Sequence, residues 1–145
     1  DVTPNPNVDQ IDDWISIWRQ ENIESIIALG GGSVIDTAKA LSIFLSPGTN
    51  ITIGAHLRDG NKLSFSQALP ILAIPTTSGT GSEVTPFATI WDLARSQKHS
   101  LAFSEIIPHV AFLDPVLTMK CPLEVTISSG LDAVSHAFES IWNHN

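Results

Sequence analysis

The amino-acid sequence predicts an α/β fold: a parallel sheet with crossover helices, followed by the start of an all-helical domain. Three observations carry this. Two short apolar runs, from Ser25 to Leu29 and from Pro70 to Pro75, each lead into a loop of glycines and hydroxyl residues. Short apolar runs ending in turn signals read as buried strands. The first run is flanked on both sides by segments of helical spacing, giving the order helix, strand, glycine turn, helix. Beyond Lys120 strand-like texture stops and only helical spacing continues.

Taken in order, Asp1 to Pro6 is polar and broken by prolines, hence extended. Asn7 and Gln10 form a capping-box pair. Val8, Ile11, Ile15 and Trp18 then recur at helical spacing, so a helix is expected to about Gln20. After the first strand and its glycines, Ser33 and Asp36 form a second capping pair. Val34, Ala38, Leu41 and Leu45 give the next helix its core stripe, and Ser46, Pro47 and Gly48 stop it. Thr49 to Leu69, rich in Gly, Asn and Ser, reads as loop. Phe87 to Trp91 and Lys98 to Phe103 read as a hairpin. Val110 to Leu113 is a further strand, closed by Asp114 and Pro115. Pro122 suits a helix start, and Leu131, Val134, Phe138, Ile141 and Trp142 follow helical spacing. A boundary is placed near residue 118, with 1–118 part of an α/β domain and 119–145 the truncated start of a helical one. The chain opens on Asp rather than Met, and its closing helical pattern has no stop signal. It is therefore expected to be an internal segment of a longer protein.

Composition narrows the function classes. Hydrophobic residues make up 43% and charged residues 15%, a balance that supports a packed core. Fifteen acids against seven Lys and Arg give a net charge of -8, which repels phosphate backbones, so no nucleic-acid partner is expected. No apolar run reaches bilayer-spanning length, and no membrane partner is expected. Cys121 is alone, which excludes an internal disulfide framework and fits a cytoplasmic protein.

Two loops could hold a phosphate-bearing ligand. Gly30, Gly31, Gly32 and Ser33 lie between a strand and a helix, where glycines remove Cβ obstruction and a helix N-terminus offers amides and positive potential. Asp36 complicates this, because a carboxylate repels phosphate; a cap, a ribose or a nicotinamide contact suits it better. By itself the triplet reads equally well as a tight strand-to-helix turn. The second loop, Thr76-Thr77-Ser78-Gly79-Thr80-Gly81-Ser82-Glu83, is costly to order unless it binds something. Two such loops at the ends of two parallel strands face one crevice, the usual ligand position in open α/β sheets.

Asp132 and His136 stand four apart on the closing helix, on one face, with Glu139 close to the same stripe. A carboxylate and an imidazole at this spacing can chelate a divalent metal. Taken alone, such a pair is more commonly a solvated helix face. His56, His99, His109 and His144 show no ligand spacing and are read as surface residues.

Together these motifs resemble the iron-containing alcohol dehydrogenase family. The segments that carry the likeness run from Gly30 to Lys39, from Pro75 to Glu83, over Asp114-Pro115, and from Gly130 to Glu139. The resemblance implies a Rossmann-like domain followed by a helical metal-binding domain. It implies that Gly30, Gly31, Gly32 and Ser33 cradle the pyrophosphate of NAD or NADP, with Asp36 close by, and that Thr76, Thr77 and Thr80 line the cofactor. It further implies that Thr85 and Phe87 border the nicotinamide, that Lys98 contacts a ribose, and that Asp132 and His136 are the first two ligands of a ferrous ion, alternatively zinc. The family's further two histidines lie beyond this sequence, as does its α/β section upstream. The implied reaction is hydride transfer between an alcohol and an aldehyde or ketone, in a homo-oligomer, with no catalytic side chain needed beyond the metal site. The tail from Ser140 to Asn145 resembles members that reduce phosphonoacetaldehyde. Zinc glycerol dehydrogenases and dehydroquinate synthases share the architecture, although the second loop favours the iron branch. A non-catalytic nucleotide-binding fragment is the alternative of a different class.

Overall fold

The computed structural model describes residues 1–143. Helix α1 (Val8–Trp18) buries Val8, Ile11 and Ile15. Its capping box is half formed. The Asn7 side chain accepts from the Asp9 amide at 3.1 Å, whereas Gln10 instead accepts from the Thr3 hydroxyl at 3.2 Å.

Strand β1 (Ile26–Gly30) runs parallel to β2 (Ile71–Pro75), in a register that sets Ile26 beside Ile71 and Gly30 beside Pro75. Strand β5 (Val110–Ala111) lies parallel on the other side of β2, so the order is β1-β2-β5. The expected strand to Leu113 is shorter than its apolar run. The Phe112 amide still bonds the Ala73 carbonyl at 2.8 Å, and pairing ends there.

Helix α2 (Gly32–Phe44) crosses between β1 and β2 and is the centre of the molecule. It buries Ile35, Thr37 and the whole run from Ala38 to Phe44. The expected single stripe is therefore too narrow. One side of α2 packs Ile35 and Ala38 on Ala28, Ile71 and Ala73 of the sheet. The other packs Leu41, Ile43 and Phe44 with α1 and with Ala88, Ile90 and Leu101. A helix with core on both sides has little room for a polar face. The proposed Ser33–Asp36 cap is also corrected. The helix begins after Gly31 with no side-chain cap; Ser33 Oγ accepts from the Asn5 amide at 3.2 Å, and Asp36 is turned to other partners.

The expected loop 49–69 contains helix α3 (Ile53–Asp59). Its N-terminus is capped twice, by Thr52 to the Ala55 amide at 3.1 Å and by Asp12 of α1 to the Ile53 amide at 2.8 Å. Gly60, at φ 72°, ends it in the left-handed region. The hairpin forms as expected from β3 (Phe87–Asp92) and antiparallel β4 (Gln97–Ala102). Its far end is tied down by ion pairs. Arg58 of α3 donates to both carboxylate oxygens of fully buried Asp92 at 2.7 Å, and to Asp9 of α1 at 2.6 Å.

Helix α4 (Pro115–Thr118) is capped by Asp114, which accepts from the Val116 amide at 2.9 Å. Helix α5 (Leu123–Trp142) follows Pro122. Neither helix buries a residue, and Leu131, Val134, Phe138 and Ile141 stand exposed. Among the described residues no helix is long and apolar enough to cross a membrane. His56 is half-buried, its Nδ1 2.8 Å from the Asn61 carbonyl. His99 departs from the surface reading as well: it is half-buried in the hairpin, with Nε2 buried and unpartnered among the described residues. His144 lies outside the described residues.

Candidate functional site

Because β1 and β2 are parallel and level, the loops that leave their C-terminal ends emerge side by side. The Thr76 amide bonds the Gly30 carbonyl at 3.0 Å just before they separate. A Cβ on Gly31 would stand 3.2 Å from the Thr77 side chain, and one on Gly32 would stand 3.2 Å from Thr80 Oγ1. The two loops thus approach so closely that there is little room for a side chain at Gly31 or Gly32.

They open onto a cleft of about 740 Å³. Gly32, Ser33 and Asp36 line it from α2, and Thr80, Thr85 and Phe87 from the second loop and the start of β3. Lys98 enters from β4 and Asp132 and His136 from α5. An adjoining groove of about 520 Å³ is lined by Gly31 and Thr77 and shares Gly32, Ser33, Thr80 and Asp132 with the cleft. Two of the sequence-predicted residues line neither space. Gly30 lies at the strand end, where a Cβ would collide with Val34, so it serves close strand–helix packing. Thr76 continues the ladder.

The electrostatics are uneven. At the glycine loop no side chain caps the first-turn amides of α2, which leaves N–H groups and the helix dipole for an anion. Lys98 Nζ sits 5.7 Å over the Trp91 ring, a cation–π contact that holds a positive charge over the cleft. Asp36, one turn into α2, is engaged by its surroundings. Its Oδ1 accepts from Ser82 Oγ at 2.5 Å and its Oδ2 from the Thr89 amide at 2.9 Å. Burial raises its pKa above the ordinary carboxylate value, opposed by those two bonds and by Lys39.

Lys39 was not singled out as a site residue by its sequence context, which is helical and small. It is fully buried. Its ammonium donates to the Phe87 carbonyl at 2.7 Å, Ser82 Oγ at 3.1 Å and Thr85 Oγ1 at 3.2 Å. Burial lowers its pKa to about 8, against the pull of Asp36 and Glu83. Asn5, Pro6 and Trp91 also line the cleft unannounced by any motif. The Trp91 amide bonds the Pro6 carbonyl at 2.7 Å, which lays the amino-terminal segment across the cleft edge.

On α5, Asp132 Oδ1 and His136 Nε2 are 3.7 Å apart, both about half exposed at the cleft. Among the described residues no group of three or more His, Cys, Asp or Glu could hold a metal ion. The pair is a chemically apt but incomplete donor set. Glu139 is exposed and lines neither space.

A sequence model of the family described as iron-containing alcohol dehydrogenase matches residues 1–115. The chain is similar to the NAD-dependent methanol dehydrogenase of Bacillus methanolicus, 39% identical over 137 residues, covering 94% of this chain and 35% of that protein. Against the choline dehydrogenase of Bacillus subtilis it is 37% identical, covering 95% of this chain and 34% of that one. Among solved structures, sulfoacetaldehyde reductase from Bifidobacterium kashiwanohense in complex with NAD+ superposes with a TM-score of 0.86 at 36% identity. That match covers 98% of this chain and 37% of the other. An iron-containing alcohol dehydrogenase of Thermotoga maritima gives 0.83 at 35% identity, covering 96% and 37%. The chain spans about a third of the length of these relatives.

Proposed function

Because this chain belongs to the iron-containing alcohol dehydrogenase family, we propose that it contributes to an NAD- or NADP-dependent, metal-activated oxidoreductase that interconverts an alcohol and an aldehyde or ketone by hydride transfer. The observation that carries this reading is the meeting of two glycine–hydroxyl loops in one cleft, with a carboxylate–imidazole pair at its edge. The uncapped amides at the start of α2 take the cofactor pyrophosphate, and Gly31 and Gly32 let it approach the backbone. Thr77 and Thr80 add hydroxyl donors, and the Lys98 ammonium reaches a ribose. Thr85 and Phe87 border the nicotinamide. The NAD+ complex of the similar reductase supports NAD; NADP is the alternative.

Asp132 and His136 fit the role of two ligands to a ferrous ion, alternatively zinc, since an anionic oxygen and a neutral imidazole nitrogen suit either. A bound divalent ion supplies Lewis-acid polarisation of the substrate oxygen. The remaining donors come from outside the described residues. The helical, metal-binding part of the protein starts near residue 118, a reading supported by α4 and α5 burying nothing against the α/β part. We further propose a cytoplasmic homo-oligomer.

The test is calorimetric titration of the full-length protein with NAD+ and NADP+, beside an alcohol oxidation assay with ferrous or zinc ions. Micromolar binding of one dinucleotide with metal-dependent turnover is expected. Neither dinucleotide binding at millimolar concentration sinks the reading.

A further inference from the structure

We infer that Lys39 is a positioning residue for the cleft: its buried ammonium fixes the direction of the hydroxyls of Ser82 and Thr85, so that Thr85 presents a donor to the bound ligand. The inference rests on the dinucleotide reading above and adds to it the polarity of one wall of the site.

A lysine ammonium has three donors and no acceptor. The three partners of Lys39 Nζ, the Phe87 carbonyl, Ser82 Oγ and Thr85 Oγ1, therefore all accept. Ser82 Oγ, with its acceptor side engaged, sends its own hydrogen to Asp36 Oδ1 at 2.5 Å. Thr85 Oγ1 is engaged in the same way, but its hydrogen has no acceptor among the described residues, and Thr85 lines the cleft. That hydrogen is available to an acceptor atom of the ligand. Asp36 closes the network by holding the Thr89 amide of β3. A charge buried without contact to the ligand is costly unless it is paired and hydrogen-bonded. Here every donor is used, and each of its three partners belongs to a residue that lines the cleft.

A neutral amine or an apolar side chain at position 39 reverses this. A neutral amine has one hydrogen fewer and a lone pair, so the Thr85 hydroxyl can turn inward and donate to it. Without any amine, the same hydroxyl is free to turn away from the ligand. The charged groups facing Lys39 are Asp36 from its own helix and Glu83 from the second loop. Lys98, Asp132 and His136 line the same cleft.

The experiment measures NAD+ dissociation constants by calorimetry for the full-length wild type, Lys39→Met, Thr85→Val and the double variant, from pH 6.5 to 9.5. Each single variant is expected to weaken binding about five- to tenfold, the worth of one hydrogen bond to a buried acceptor. The double variant is expected to lose little beyond either single one, because both remove the same donor. Wild-type affinity should fall as the pH passes about 8, the value to which burial lowers the lysine, and that fall should be absent in Thr85→Val. Losses that multiply in the double variant, or a pH dependence retained in Thr85→Val, overturn the inference and leave the dinucleotide reading standing. If Lys39→Met does not fold, Thr85→Val and the wild-type pH series decide: unchanged affinity in the variant with a flat wild-type profile overturns it. A wild type that binds neither NAD+ nor NADP+ removes the underlying reading and the inference with it.

Discussion

Gly31 and Gly79 are both small by necessity, for different reasons. At Gly31 a side chain would press on Thr77 and stand between the backbone and a ligand. Gly31→Val should therefore raise the dinucleotide dissociation constant at least about tenfold, or ~1.4 kcal/mol. Unchanged affinity in a folded variant removes Gly31 from the site. At Gly79, φ 135° is a glycine conformation, and a Cβ would collide with the Ser129 carbonyl of α5. That residue sets how closely the second loop meets the helix carrying Asp132 and His136. For the metal pair, Asp132→Ala and His136→Ala in the full-length protein should each deplete bound iron or zinc and nearly abolish turnover. Dinucleotide binding should persist, and the double variant should add little, since on the proposed reading both residues act through one ion. Elemental analysis that finds full metal in both single variants rules the assignment out.

At the scale of elements, α3 shows how a short helix is held by a neighbour. Seven residues cannot sustain a helix in water. Thr52 caps it locally, and Asp12 of α1 caps it from outside, taking the Ile53 and Gly54 amides. Gly54 permits this, because a Cβ there would stand 2.6 Å from the Asp12 carboxylate. Asp12→Ala should cost about 1–2 kcal/mol, the upper range for a lost cap, read as a lower urea midpoint with unchanged slope. An unchanged midpoint means the cap is redundant with Thr52. The same helix was hidden in a stretch read as loop, although Thr52 and Gly60 are ordinary start and stop signals. What its seven residues lack is a repeating apolar stripe: Ile53 and Gly54 are its only buried positions, and they are adjacent.

For the whole molecule, Arg58 joins three elements through one side chain: Asp9 on α1, Asp92 on β3, and its own α3. The guanidinium holds the Asp92 carboxyl down at about 2, below the ordinary value of 3.8. A depressed folded pKa means that the unfolded chain takes up protons first. The contribution is thus full above about pH 4 and is lost as the pH falls toward about 2. Melting temperatures measured from pH 2 to 5 should show this acid limb flattened in Asp92→Asn; an identical limb in both proteins counts against the pair. The apolar residues left open on α5, with Ile27 and Leu29 on the sheet, imply further packing partners. Residues 1–145 expressed alone should self-associate with rising concentration in light scattering, and should show no aldehyde reduction with NADH and ferrous ion. A monomeric, active preparation contradicts both expectations.

The amino-acid sequence by itself determined the strands β1 and β2, the glycine loops that follow them, the hairpin and the Asp132–His136 face. Each is encoded within a few consecutive residues, through apolar runs, turn chemistry and helical spacing. Family resemblance supplied the proposed roles of Thr85, Phe87 and Lys98, which no local pattern marks. Tertiary structure alone decided that α2 is buried on both sides, that Asn5, Pro6 and Trp91 edge the cleft, and that Thr77 faces the groove while Thr76 stays in the ladder. It also turned Lys39, on paper one more polar position of a helix, into the buried junction of the site. The physical reason is range. Helical and strand periodicities are local, whereas the burial of a side chain and the identity of its partners depend on strand order and on contacts between residues more than forty positions apart, such as Lys39 with Ser82 and Thr85.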